Sequence, residues 1–406
     1  MSIIAQKAGV SANIPVSALD YTHTLLTVDM NNEAGRLDAR KKLGAAGFDV
    51  CFASSGDTGV LMPWLLKGSE VPYVLYGPAD PRISVYGRWQ PYEHYGALWS
   101  AATFTLELKE FLQFYPDALK ARAHVFGNSA PPPADIDFAA REKKETRTIM
   151  SAGRFREEDK QFSALLRAFA LLYREFPRWR LKIVGDGPHW DFYRVIAEQL
   201  SIRQVVEFTG STADMKSQYE SADIFCLPTF RREGLPMVFL EASAYALPLV
   251  GYESLAAASA LITPETGVLA KSGEDNTPEA LAEALRSLML LPPRELVQTG
   301  INCRDHIQRH YGGNIILDQW EKLFTQISER RTPMIDKIGP EWEGLTPDSE
   351  VWTEAVLTAA AAEITARENP FETPEYTGED AENLRLKCEL ARVKQDYAAL
   401  EKNTPR

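Results

Sequence analysis

The chain has 406 residues, 45% of them hydrophobic and 25% charged, and a formal net charge of -12. That is room for two globular domains, and an acidic chain without a Lys/Arg-rich tract is not built for general nucleic-acid affinity. No apolar run reaches the roughly 18 residues that a membrane span needs, and the N-terminus lacks a basic start followed by an apolar stretch, so the predicted location is cytoplasmic, with room for peripheral attachment at a membrane.

In chain order, residues 23–29, 49–54, 73–76 and 124–126 read as strands, with a helix over 33–46. They predict an α/β domain over residues 1–146, reduced or altered at its start, since nothing in the first 40 residues looks like an opening strand with a Gly-rich loop. The segment NSAPPPADIDFAAREKKE is a predicted linker: three consecutive prolines and then a charge run break regular structure. From Arg147 to residue 332, strand-like runs at 148–152, 181–185, 205–209, 223–227 and 247–251 alternate with helical patterns, as a helix-covered parallel sheet requires. Phe162, Leu165, Leu166, Phe169, Leu172, Tyr173 and Phe176 recur at helical spacing, the stripe of a helix laid on that sheet. A helix over 315–329 closes the domain. Residues 333–406 form a predicted linker and helical tail, where Leu386, Leu390, Val393, Tyr397 and Leu400 make two heptads that could pair with a second copy, a partner or the body of the protein.

The stretch PTFRREGLPMVFLEASAYALP carries the most chemistry. A strand ends at Pro228, a polar loop follows, and a helix opens near Pro236, where proline suits the first position. The amides of that first turn, Met237, Val238 and Phe239, form an anion site at the carboxyl ends of the strands. Glu233 and Glu241, with seven residues between them, can offer carboxylates to the hydroxyls of a sugar or ribose. The bland alternatives are a surface ion pair of Glu233 with Arg231 or Arg232, and a Glu241 that merely sits near a helix dipole.

Other patterns carry less. Gly185-Asp186-Gly187-Pro188 reads as a tight turn without chemistry. Asp135-Ile136-Asp137 matches a metal-binding triplet but lies in the linker, and His306 and His310, four apart on a helix, lack a third ligand. The cysteines, Cys51, Cys226, Cys303 and Cys388, have no Cys-x-x-Cys pair and read as reduced, buried thiols. No metal site is predicted.

Glu233-Gly234-Leu235-Pro236 followed by Glu241 resembles the E-x7-E signature of the family-four retaining glycosyltransferases of the GT-B fold (glycosyl transferases group 1). SAGRFREEDKQFSALLRAFALL resembles that family's Gly-Arg loop and following lysine, KIVGDGPHWDFYRVI its Gly-rich turn, and TGVLAKSGEDNTPEALAEAL its closing strand and helix. The resemblance implies two Rossmann-like domains and transfer of a sugar from a nucleotide diphosphate donor with retention. It implies that Arg154 and Lys160 hold the diphosphate and stabilise its developing charge, that Glu233 binds the donor sugar and Glu241 the ribose. Gly234 would admit the sugar close to the backbone, while Leu235, Pro236, Met237 and Val238 line the donor. No cofactor or metal is implied. The chain departs from the family where Gly77-Pro78-Ala79-Asp80 replaces a segment that often holds a histidine, and where GYESLAAASALI replaces a Gly-Gly turn and glutamate. Those departures keep open an alternative, a catalytically degenerate GT-B protein with a binding or regulatory role.

Overall fold

The computed structural model describes residues 3–6, 25–28, 37–39, 41–43, 48–54, 62, 66, 71–77, 101–114, 120, 123–229, 233–271 and 276–329. The heptads at 386–400, and Arg231, Arg232 and residues 78–80, lie outside them. Two units divide the described chain. Among the described residues, one takes those up to Leu106, Phe111–Val125 and 320–329; the other takes Glu107–Glu110 and Phe126–Gln319.

In the first unit β1 (Ile3–Gln6) pairs in parallel with β2 (Leu25–Val28). A strand not predicted from the sequence thus precedes β2; its short apolar run, Ile3-Ile4-Ala5, is too brief for periodicity to flag, and the residues that follow it, where a Gly-rich loop would stand, lie outside the described residues. A separate parallel sheet has the order β3 (Cys51–Ser54), β4 (Tyr73–Gly77), β5 (Thr103–Leu106), β6 (Ala123–Val125). β5 is not among the strands predicted from the sequence, although the alternation of Thr-Phe-Thr-Leu suits a strand; all four residues are buried, and β-branched threonine fits a strand covered on both faces. Within the expected helix at 33–46, residues 37–39 and 41–43 are helical. Trp320 and Phe324, on the Gly313–Glu329 helix, pack edge-on against Phe52, and Trp320 also meets Tyr76.

The second unit holds six parallel strands: β7 (Arg147–Ala152), β8 (Trp179–Val184), β9 (Val206–Gly210), β10 (Ile224–Leu227), β11 (Leu249–Tyr252) and β12 (Gly267–Ala270). Their order is β12-β11-β10-β7-β8-β9. The chain runs outward from β7 through β8 and β9, then returns to pair β10 on the other side of β7. Between β7 and β10 the strand order reverses, and at such a switch point the loops leaving the carboxyl ends diverge and open a crevice. The helix Phe162–Leu172 covers the sheet with the predicted stripe, and Phe155, Phe162, Tyr193 and Trp190 interlock beside it at centroid separations of 5.1 to 5.5 Å.

The expected irregular linker contains a short helix, Phe138–Glu142. Asp137, of the decoy triplet, caps it by accepting from the Ala140 N–H at 2.9 Å. Buried Arg141 donates to the Tyr245 and Ala246 carbonyls at 2.8 and 3.1 Å, satisfying the far end of the Met237–Ala244 helix. The contacts place residues 126–146 with the second unit, ahead of the start at Arg147 read from sequence. Cys51, Cys226 and Cys303 are free and buried; burial pushes the Cys51 thiol up to about 11 and the other two higher still.

Candidate functional site

Two loops flank the switch point, one after β7 and one after β10. The first, Gly153 to Lys160, is tied to the Gly-rich turn that follows β8. Gly153 N–H donates to Val184 O at 3.0 Å, Phe155 N–H to Asp186 O at 2.9 Å, and His189 N–H to Phe155 O at 3.0 Å. Gly185 is required there: its φ is 141°, and an added Cβ would fall 1.9 Å from the Gly153 carbonyl oxygen. The turn that sequence reading left without chemistry therefore sets the position of the Gly-Arg loop. Buried His189 contributes as well, its Nδ1 accepting from the Glu157 N–H at 2.9 Å.

The short helix Glu157–Lys160 brings Lys160 back across Gly153, whose absent Cβ would lie 3.1 Å from the lysine Cε. Buried Thr229, just past β10, donates its hydroxyl to the Asp159 carbonyl at 3.1 Å and so ties this turn to the second loop. Lys160 Nζ then pairs with Glu233 Oε1 across 73 residues of sequence. Neither side chain is more than 18% exposed. Burial raises the Glu233 carboxyl above the usual glutamate range, while the Lys160 charge and hydrogen bond pull it back. Glu233 thus finds its ion pair in Lys160, among the described residues, and one of the three ammonium N–H groups serves it. Arg154 is exposed, and among the described residues its guanidinium forms no ion pair.

After Glu233, Gly234, Leu235 and Pro236 are buried and lead into the Met237–Ala244 helix. Pro236 occupies the N-cap, one position earlier than the sequence suggested, and supplies no side-chain hydrogen bond to the first turn. Phe239 N–H donates to Pro236 O at 3.0 Å, which leaves the Met237 and Val238 amides as the open donors of this end. Met237 is 41% exposed beside them. One turn on, Glu241 Oε2 accepts from the Tyr219 hydroxyl at 2.7 Å. Tyr219 is buried against Tyr245, and burial followed by the Glu241 charge raises its hydroxyl pKa strongly.

Sequence reasoning missed two residues. Glu107 follows β5, and Asn128 is the first residue of the predicted linker; both bond Leu235. Leu235 N–H donates to Glu107 Oε2, Asn128 Nδ2 donates to Leu235 O at 3.1 Å, and Asn128 Nδ2 also donates to Glu107 Oε1 at 2.6 Å. The one signal in the sequence is a glutamate directly after the alternating run Thr-Phe-Thr-Leu.

The rings of His306 and His310 lie 4.8 Å apart, tilted at 53° to each other, and among the described residues no group of three His, Cys, Asp or Glu could hold a metal ion. No described helix is long and apolar enough to cross a membrane.

Parallel α/β units of this kind, with a switch-point site in the second, define the GT-B class of fold. HepE of Anabaena, solved with UDP and separately with UDP-glucose, superposes on 75% of this chain and 86% of its own with a TM-score of 0.62 at 15% identity in the UDP complex. Residues 134–303 match the model of the family glycosyl transferases group 1. An uncharacterised glycosyltransferase of Haemophilus influenzae is 33% identical over 182 residues, 45% of this chain and 50% of its own. A GDP-mannose-dependent alpha-(1-6)-phosphatidylinositol monomannoside mannosyltransferase of Mycolicibacterium smegmatis is 31% identical over 165 residues, 39% of this chain and 40% of its own. The matched region thus spans half or less of these two relatives.

Proposed function

We propose that the protein is a retaining glycosyltransferase that moves a sugar from a nucleotide diphosphate donor to an acceptor hydroxyl. The observation that carries this is the meeting of Lys160 and Glu233 at the switch point, beside a helix whose first amides lack a side-chain cap. A diphosphate needs clustered donors and positive charge. The Met237 and Val238 amides, the two further N–H groups of Lys160 and the exposed Arg154 fork supply them, and Glu233 accepts from the donor sugar's hydroxyls. Glu241, already held by Tyr219, keeps an oxygen for ribose.

In this reading the bond from the anomeric carbon to the β-phosphate oxygen breaks as the acceptor oxygen bonds to that carbon on the same face. The acceptor's proton passes to the departing phosphate oxygen, and the charge left on the diphosphate is met by Arg154 and Lys160. Because these cations neutralise the leaving group, the reaction is expected to continue in EDTA.

The relatives' names supply the probes. Nucleotide release from UDP-glucose and GDP-mannose is followed with the full chain, and the anomeric configuration of the sugar product is read by NMR. Turnover with retention is expected for one donor, and Lys160→Ala should lower kcat by about 100-fold or more, the scale of losing a donor to developing charge. Turnover equal to wild type in both Lys160→Ala and Arg154→Ala would refute the assignment.

A further inference from the structure

We propose that Glu107 and Asn128 are positioning residues that fix the backbone of the Glu233–Pro236 turn and thereby decide how tightly the sugar half of the donor is held. The proposal rests on the donor-site reading above. Leu235 is gripped at both polar groups of its backbone: its N–H donates to Glu107 Oε2 and its carbonyl accepts from Asn128 Nδ2 at 3.1 Å. The bond from Asn128 Nδ2 to Glu107 Oε1, 2.6 Å, closes the ring. The side chain is confined as well, since an added Cβ at Gly127 would stand 2.5 Å from Leu235 Cδ2.

Leu235 lies two residues after Glu233 and two before the first residue of the Met237–Ala244 helix. Its position therefore sets the spacing between the Glu233 carboxyl and the open amides. A site that binds a sugar and a diphosphate together needs that spacing held to a fraction of an ångström. Glu107 is buried, and both its oxygens accept, a pattern a glutamine cannot reproduce: its NH2 would face either the Leu235 N–H or the Asn128 amide. Glu107→Gln thus keeps the volume and breaks the clamp.

The test is calorimetric titration of the full chain and of Glu107→Gln and Asn128→Ala with UDP, GDP, UDP-glucose and GDP-mannose, together with hydrogen exchange at the Leu235 amide. Free nucleotide is held by Glu241 and the helix amides, so both variants should bind UDP or GDP within about two-fold of wild type. They should bind the matching sugar nucleotide about ten-fold more weakly, the cost of a lost charge-assisted hydrogen bond, with Leu235 exchanging about ten-fold faster. Unchanged sugar-nucleotide affinity, or equal loss for nucleotide and sugar nucleotide, overturns the proposal. If the wild-type chain binds neither nucleotide, the donor reading falls, and the exchange rate alone decides the clamp: faster exchange in Glu107→Gln supports it, unchanged protection overturns it.

Discussion

Replacing Asp223 by asparagine should loosen the second unit at the root of β10. The Asp223 side chain is 1% exposed and accepts from Arg147 Nη1 at 3.0 Å, Lys144 Nζ at 3.1 Å and the Thr148 N–H at 2.9 Å. These bonds join the linker, the start of β7 and the start of β10, whose far ends carry the two loops of the site. Asparagine keeps the shape but removes the charge, leaving the Arg147 guanidinium, 10% exposed, and the Lys144 ammonium without an anion. Breaking a mostly buried pair from one side costs about 3–5 kcal/mol. In a unit of this size that is a fall in Tm of about 6–20 °C, at about 2–4 °C per kcal/mol. Thermal unfolding followed by circular dichroism measures it, and adding Arg147→Met should recover part of the loss by removing the orphaned charge. A shift of less than about 2 °C would refute the reasoning, because the asparagine would then satisfy these donors as well as the carboxylate does.

Tyr219→Phe removes the hydroxyl that holds Glu241, 2.7 Å away; nucleotide affinity measured by titration should fall about five-fold, the worth of one hydrogen bond, with Tm nearly unchanged. The pH profile tests Glu233. Its carboxyl is raised by burial, so this group favours the folded state at low pH and that contribution is lost as pH rises through its folded pKa. Sugar binding needs the carboxylate form, so the acid limb of kcat/KM should lie above the usual glutamate range. Lys160→Met should move that limb higher still, since the Lys160 charge is what lowers it, and Glu233→Gln should abolish it.

The second unit was legible because parallel strands buried on both faces appear as short apolar runs ending in Gly, Pro or Ser. Predicted strands at 148–152, 181–185 and 223–227 differ from Arg147–Ala152, Trp179–Val184 and Ile224–Leu227 only at their ends. The stripe from Phe162 marked its helix for the same reason of period, although the helix stops at Leu172. What stayed hidden is choice of partner. Glu233 had two arginines beside it in sequence, yet it pairs with Lys160, because the strand reversal brings the β7 and β10 loops together. Glu107 binds Leu235 from 128 residues away, and no local pattern encodes that distance. The Phe138–Glu142 helix was missed because one capped turn is too short to show a period.

The most direct test of the account is isothermal titration of the full chain with UDP, GDP and ADP, repeated on Glu241→Ala. The account predicts that one nucleoside diphosphate binds and that Glu241→Ala weakens it by about ten-fold or more, the loss of a charge-assisted bond to ribose. A folded wild-type chain that binds none of the three, or a Glu241→Ala variant that binds as tightly as wild type, would contradict the donor site assigned to the Met237–Ala244 helix.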